Sequence, residues 1–91
     1  MSEVRDNPAA HRYELVVEGE TAIAAYRDEG EVRVFTHTEV PEALEGRGIG
    51  TTLIAGALAD VRAHGLKIVP QCPFVAAYIE RHPLDADLVA F

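Results

Sequence analysis

The residues with the clearest chemical use form one short run, Gly46-Arg47-Gly48-Ile49-Gly50-Thr51-Thr52. It follows a strand-like stretch and opens a helix-like one. Glycines let backbone amides approach a ligand without interference from a Cβ. The first-turn N–H groups of a helix lack internal partners, and the helix dipole favours negative charge beside them. Strand, glycine loop and helix N-terminus together make a cradle for phosphate. Arg47 would add a charge-assisted contact and the Thr51 hydroxyl a further donor. Two better-known phosphate motifs are excluded by spacing. A P-loop needs a Gly-Lys pair, which the chain lacks, and G-x-G-x-x-G counted from Gly46 needs Gly or Ala where Thr51 stands. The alternative reading is that these glycines only shape a turn and a helix start.

Cys72 and His37 are the candidates for reactive chemistry. Cys72 directly precedes Pro73, a residue favoured at the first helical position, so the thiol is expected at or near a helix N-cap. There the dipole stabilises a thiolate, which suits an acyl-accepting nucleophile or an acid–base group. Its alternative is a small buried apolar residue. His37 falls near the end of an apolar strand, two residues before Glu39. If the LKIVP segment pairs beside that strand, His37 and Cys72 would meet; otherwise His37 is a strand histidine bonded to a neighbour or exposed. Glu39 reads either as an orienting group for His37 or as a solvated carboxylate. No spacing of His, Cys and carboxylates has the form of a zinc site.

The elements that must position these residues follow from hydrophobic period. Residues 1–11 read as a mobile leader, and residues 12–91 as a single domain. A strand is expected over Arg12–Glu18, with Tyr13, Leu15 and Val17 on one face. A second covers Thr21–Arg27, with Ala22, Ala24 and Tyr26 on one face. The third, Glu31–Val40, places Arg33, Phe35 and His37 together by simple alternation. Gly19 and Gly30 fall in the intervening turns, giving an antiparallel meander. Pro41 ends the third strand, and Glu42 to Gly46 is a loop or a single helical turn. Leu53, Ile54, Ala57, Leu58 and Val61 have helical spacing over Ile49 to about His64, with Gly65 at the expected C-terminal position. Leu66–Pro70 is a short strand extending the sheet. A second helix runs from Phe74 to about His82, where Pro83 stops it, and the tail over Leu84–Phe91 adds a last turn or an edge strand. This order implies an α+β fold with helices packed on a mostly antiparallel sheet.

The chain has 91 residues, with 8 basic and 15 acidic side chains for a formal charge of −7, and 48% apolar residues. That length allows one small domain with a compact core. The acidic balance argues against nucleic acid and anionic membrane surfaces as partners. No apolar run approaches the roughly 20 residues that cross a bilayer, and Met1–Ala10 has no signal-type stretch. A lone cysteine forms no internal disulfide and fits a reducing, cytoplasmic setting.

The string FTHTEVPEALEGRGIG, followed by a helix and then HGLKIVPQCPFVAAYIERHP, resembles the GNAT acetyltransferase superfamily, and in particular its small YjdJ-type branch. The likeness covers roughly residues 12–89. The acyl-CoA loop of that superfamily reads Gln or Arg, two free positions, Gly, one free position, then Gly or Ala. Gly48 and Gly50 match it, and Glu45 departs from it at the position where Arg or Gln helps hold pyrophosphate. Arg47 stands where it would compensate.

The resemblance implies a minimal GNAT-like fold, with a central helix after the glycine loop and a second, C-terminal helix. Acetyl-CoA (or CoA) would be the co-substrate and an unidentified amine the acceptor. Phosphates would sit on Gly46, Arg47, Gly48, Gly50 and Thr51, pantetheine along Thr38 to Val40, and the acetyl group between His37 and Cys72. Tyr78 stands where many members place a tyrosine that protonates the leaving sulfur; alternatively it is a core residue with its hydroxyl at the rim. Arg81 and His82 would reach phosphates or cap the second helix. The function expected is N-acetyl transfer. The alternatives are acyl-CoA binding without turnover and an interaction module using the sheet edge.

Overall fold

The structure, a computed structural model, describes residues 3–90. Five strands form one sheet in the order β1 (Val4–Asn7), β2 (Arg12–Val17), β3 (Glu20–Glu29), β4 (Val32–Glu39) and β5 (Lys67–Pro70). The first four are antiparallel and β5 runs parallel to β4. Two helices, α1 (Ile49–Ala63) and α2 (Pro73–Arg81), flank β5 in sequence, giving the α+β arrangement expected from the sequence. Short 3₁₀ turns cover Pro8–Ala10, Glu42–Leu44 and Pro83–Leu88. After the last turn Val89 makes a bridge beside Ile68, so the tail contributes both a turn and an edge contact.

One face of the sheet carries the core. Tyr13 and Leu15 of β2 alternate with the more accessible Arg12, Glu14 and Val16, and Ala22, Ala24 and Tyr26 of β3 lie beside them. Small alanines in mid-sheet leave room for α1, which buries Leu53, Ile54, Ala57, Leu58 and Val61 as one stripe at the spacing a 3.6-residue turn requires. The end of α1 is closed by Gly65, at φ 67°, where Leu66 N bonds to Val61 O at 3.1 Å and Gly65 N to Arg62 O at 3.2 Å. That pair of bonds is a Schellman cap.

The expected leader over residues 1–11 is corrected by the structure. Residues 1 and 2 lie outside the described residues, but Val4–Asn7 pair with Arg12–Leu15 as β1. Two interactions hold it there. Val4 packs on Gly56 of α1 so closely that an added Cβ would lie 2.5 Å from the valine Cβ. Asp6 accepts a hydrogen bond from the Tyr26 hydroxyl at 2.5 Å and lies 3.5 Å from Arg33. Neither partner is local in sequence.

Arg33 is the centre of this second interaction. Its guanidinium donates to both Asp28 carboxylate oxygens at 2.8 and 2.9 Å and to the Tyr13 hydroxyl at 2.7 Å, and it sits 3.9 Å from the Tyr26 ring centroid. The Tyr13 hydroxyl in turn donates to Asp60 of α1 at 2.7 Å. A charge on the core side of a sheet needs such a set of partners. Among the described residues no buried side-chain nitrogen or oxygen lacks a hydrogen-bond partner.

β4 is not a simple alternating strand. Tyr26 pairs with Phe35 while the preceding Ala25 pairs with His37, so Thr36 is an extra residue on β4. Such a bulge reverses the parity of everything after it. Arg33 and Phe35 share the core face, but His37 does not join them as simple alternation would have it. Thr38 takes the core face in its place.

Candidate functional site

β5 ends at Pro70, opposite Phe35, and the chain leaves the sheet through Cys72, whose amide still bonds to Phe35 O at 2.9 Å. Beyond that point β4 continues to Glu39, and among the described residues no strand pairs with Thr36–Glu39 on the β5 side. A cleft of about 550 Å³ opens along this edge. Thr38, Glu39 and Val40 form one wall, Leu44 to Gly46 the end, and Gly48 to Thr51 the other wall. Phe74 of α2 closes one side.

The glycine loop has the geometry that a phosphate cradle needs. Gly46 and Gly48 adopt φ 79° and 71°, a backbone region that disfavours other residues, and neither has an atom within 4 Å of where a Cβ would stand. Gly48 is the N-cap of α1 and has no side chain to cap the helix. The first intrahelical bond is Thr52 N to Gly48 O at 3.1 Å, so the amides of Ile49, Gly50 and Thr51 precede the helical ladder at the positive end of a 15-residue helix. The third glycine works differently. A Cβ on Gly50 would lie 2.6 Å from the tip of the Phe74 ring, so Gly50 seats that ring.

A second cavity of about 120 Å³ lies on the far side of Phe74, between Thr51, Ala77, Tyr78, Arg81 and His82. Tyr78 is buried, and burial raises its phenol above the usual range, with a smaller contribution from Asp85. Its ring stacks on His82 with centroids 3.9 Å apart. The His82 Nδ1 lies 2.8 Å from Tyr78 O, and since a carbonyl only accepts, Nδ1 carries the proton.

The sequence candidates divide accordingly. Thr38, Val40, Gly46, Gly48, Gly50 and Thr51 line the main cleft, and Tyr78 lines the adjoining cavity. Cys72 stands at the N-cap of α2, as its place before Pro73 implied, but it is buried. Its sulfur contacts the Thr38 hydroxyl at 3.2 Å, so Thr38 connects it to the cleft. The expected Cys72–His37 pair is not formed. The bulge turns His37 to the opposite face of the sheet, where it is exposed and lies 3.3 Å from the equally exposed Glu39 carboxylate. Arg47 also departs from its expected place. It is not a wall of the cleft; its guanidinium donates to Glu18 at 2.6 Å.

Sequence reasoning missed Phe74, which helical spacing groups with the core residues Val75 and Tyr78, yet which is 41% exposed and lines both cavities. The available signal was its position right after Pro73, in the first turn of α2 and facing the glycine loop. Two carboxylates, Glu39 and Glu45, are the charged groups of the main cleft. Among the described residues there is no group of three or more metal-ligating side chains, and no helix long and apolar enough to cross a membrane.

This arrangement of sheet and helices recurs in known structures. The solution NMR structure of a GCN5-like protein from Staphylococcus aureus superposes with a TM-score of 0.73, covering 96% of this chain and 86% of that one at 23% identity. The shared fold is that of a GCN5-like, or GNAT, domain. The sequence profile of the GCN5-related N-acetyl-transferase family matches residues 12–88, and the chain belongs to that family. Protein NATD1 from chicken (Gallus gallus) and from mouse (Mus musculus) is 42% identical over 48 residues, covering 53% of this chain and 44% of each relative. The human NATD1 protein (Homo sapiens) matches at the same identity over 42% of its length. The matched segment thus spans less than half of those relatives. Members of the family generally use acetyl-CoA as co-substrate.

Proposed function

We infer that this protein binds acetyl-CoA in the cleft between β4 and the start of α1, and transfers its acetyl group to an amine. One observation carries the reading: a run of unpaired helix-start amides faces an open cleft that continues along the free edge of a strand. The parts of that cleft match the parts of the co-substrate. Pyrophosphate fits the amides of Ile49, Gly50 and Thr51, and the amide-bearing pantetheine arm fits the β5-side edge of Thr38 to Val40, where β3 takes up the other edge at Thr38 and Glu39.

Bound acetyl-CoA supplies an acetyl group activated as a thioester. On transfer to an amine a C–N bond forms and the C–S bond breaks; the amine loses a proton and the thiolate takes one up. Tyr78 keeps its phenol proton through the neutral range and, from the cavity behind Phe74, is the group assigned to protonate the leaving thiolate. Cys72 is buried and acts through its contact with Thr38, passing a proton between its thiol and the Thr38 hydroxyl at the cleft wall. The protein is expected to work in the cytoplasm, with no nucleic acid or membrane partner.

The second reading is acyl-CoA binding without turnover. The outward turn of His37 favours it, because it deprives Cys72 of the base that a Cys–His pair would have supplied. Release of free CoA thiol from acetyl-CoA across a panel of primary amines separates the two. Release that depends on an amine and falls in Tyr78→Phe or Cys72→Ser supports transfer, whereas binding with no release above the uncatalysed rate supports the binder.

A further inference from the structure

The hairpin turn between β2 and β3 contains the single residues Glu18 and Gly19, since Val17 pairs directly with Glu20. Both turn residues have positive φ, 52° for Glu18 and 80° for Gly19. A two-residue turn of this kind favours Asn-Gly or Asp-Gly, because Asn and Asp tolerate the left-handed region far better than a longer side chain does. The chain instead holds glutamate there, in a conformation that costs energy. The longer side chain meets the glycine loop, and its carboxylate accepts a hydrogen bond from Arg47 Nη1 at 2.6 Å.

Arg47 is the cation of the glycine loop. It lies between Gly46 and Gly48, both at positive φ with open space around them, so no flanking Cβ hinders a turn of the loop backbone at Arg47. Among the described residues the main cleft presents Glu39 and Glu45 and no cationic side chain. A phosphate arriving on the α1 amides therefore meets two carboxylates, while the nearest loop cation is held by a third carboxylate outside.

We propose that Glu18 is a latch on Arg47: it keeps the guanidinium out of the cleft until an anion binds, and the anion then takes the guanidinium over from the carboxylate. The proposal rests on the acetyl-CoA reading above for the identity of that anion, the pyrophosphate of CoA. Glu18 is then a positioning residue, acting on the ligand only through Arg47. Each binding event must break the ion pair first, so the apparent affinity is lower than the loop alone would give. Both side chains are well exposed, and pairs of that kind are worth about fivefold in an equilibrium constant at most.

Calorimetric titration of CoA, and of inorganic pyrophosphate as the anion alone, into four proteins tests this: parent, Glu18→Asn, Arg47→Ala and the double variant. Asparagine suits the turn, so the first variant removes the charge without endangering the hairpin. The latch predicts that Glu18→Asn binds both probes about two- to fivefold more tightly than the parent, that Arg47→Ala binds them more weakly, and that Glu18→Asn brings no gain once Arg47 is gone. The non-additivity separates a latch from a general change in turn stability or net charge. If Glu18→Asn binds no tighter than the parent, or if its gain persists without Arg47, the latch is wrong and the CoA site stands. If none of the four proteins binds CoA, both the latch and the acetyl-CoA reading fall.

Discussion

The two ends of β4 present opposite kinds of polar chemistry. At its start Arg33 is closed on Asp28, Tyr13, Tyr26 and Asp6, in a cluster that ties β1, the β3–β4 hairpin and α1 together. At its end Thr38 to Val40 face a cleft, and the amides opposite them precede the helical ladder of α1. Polar groups that are satisfied within the chain stabilise the fold and have nothing left for a ligand. Groups left unsatisfied at a surface contribute little to stability and are the ones a ligand can recruit. One strand thus holds the molecule together at one end and offers a site at the other, with the Thr36 bulge between them.

Substitutions at the two ends should therefore separate stability from binding. The largest effect is expected at Arg33. Arg33→Leu strips Asp28, Asp6 and the more distant Asp60 (4.0 Å) of their shared cation and leaves the Tyr13 hydroxyl short of a partner; chemical denaturation should show a loss of about 3 kcal/mol or more. The acid dependence should change with it. Arg33 holds the Asp28 carboxyl below its usual range, chiefly by hydrogen bonding. The unfolded chain takes up that proton first as pH falls below about 4, so the parent loses stability there. The leucine variant should lack that part of the acid slope.

A matched pair on α1 gives an intermediate effect. Gly56→Ala drives a methyl into Val4 next to its backbone and should destabilise by roughly 1–2 kcal/mol, even after the gain in helix propensity. Gly50→Ala meets only the tip of the Phe74 ring, which is free to turn. Its melting temperature should stay close to that of the parent while CoA binding weakens, because the displaced ring enters one of the two cavities. Equal losses of stability in both variants would erase the distinction between the two ends. The smallest effect is expected at His37. Its ring faces away from Cys72, so His37→Ala should change stability by no more than about 0.5 kcal/mol and leave CoA affinity unaltered.

What the sequence revealed divides along the same line. The glycine loop is contiguous, and its place at the start of α1 follows from residue types and order, so the position of Gly46, Gly48, Gly50 and Thr51 was legible without any structure. The helix of Leu53 to Val61 and its Gly65 cap were legible for the same reason, since both are local patterns. The Arg33 cluster was not, because its partners Asp6, Tyr13 and Asp60 lie far away in sequence and meet only when β1 and α1 pack. For that reason residues 1–11 read as a leader. His37 was misplaced by strict alternation, which has no means of registering one extra residue at Thr36. Arg47 and Glu18 met through a turn whose reach depends on a strained φ that residue type alone would not suggest.

Whether the cleft at the end of β4 binds CoA is tested most directly by a thermal denaturation series with increasing CoA. A ligand present at a hundredfold excess over its Kd stabilises a folded protein by about 2.7 kcal/mol, which in a domain of this size raises Tm on the order of 10 °C. The predicted result is a saturable rise of that order for the parent, greatly reduced in Gly48→Val, whose branched side chain is incompatible with the φ of 71° at the N-cap of α1. A melting temperature that does not move at millimolar CoA would contradict the central claim.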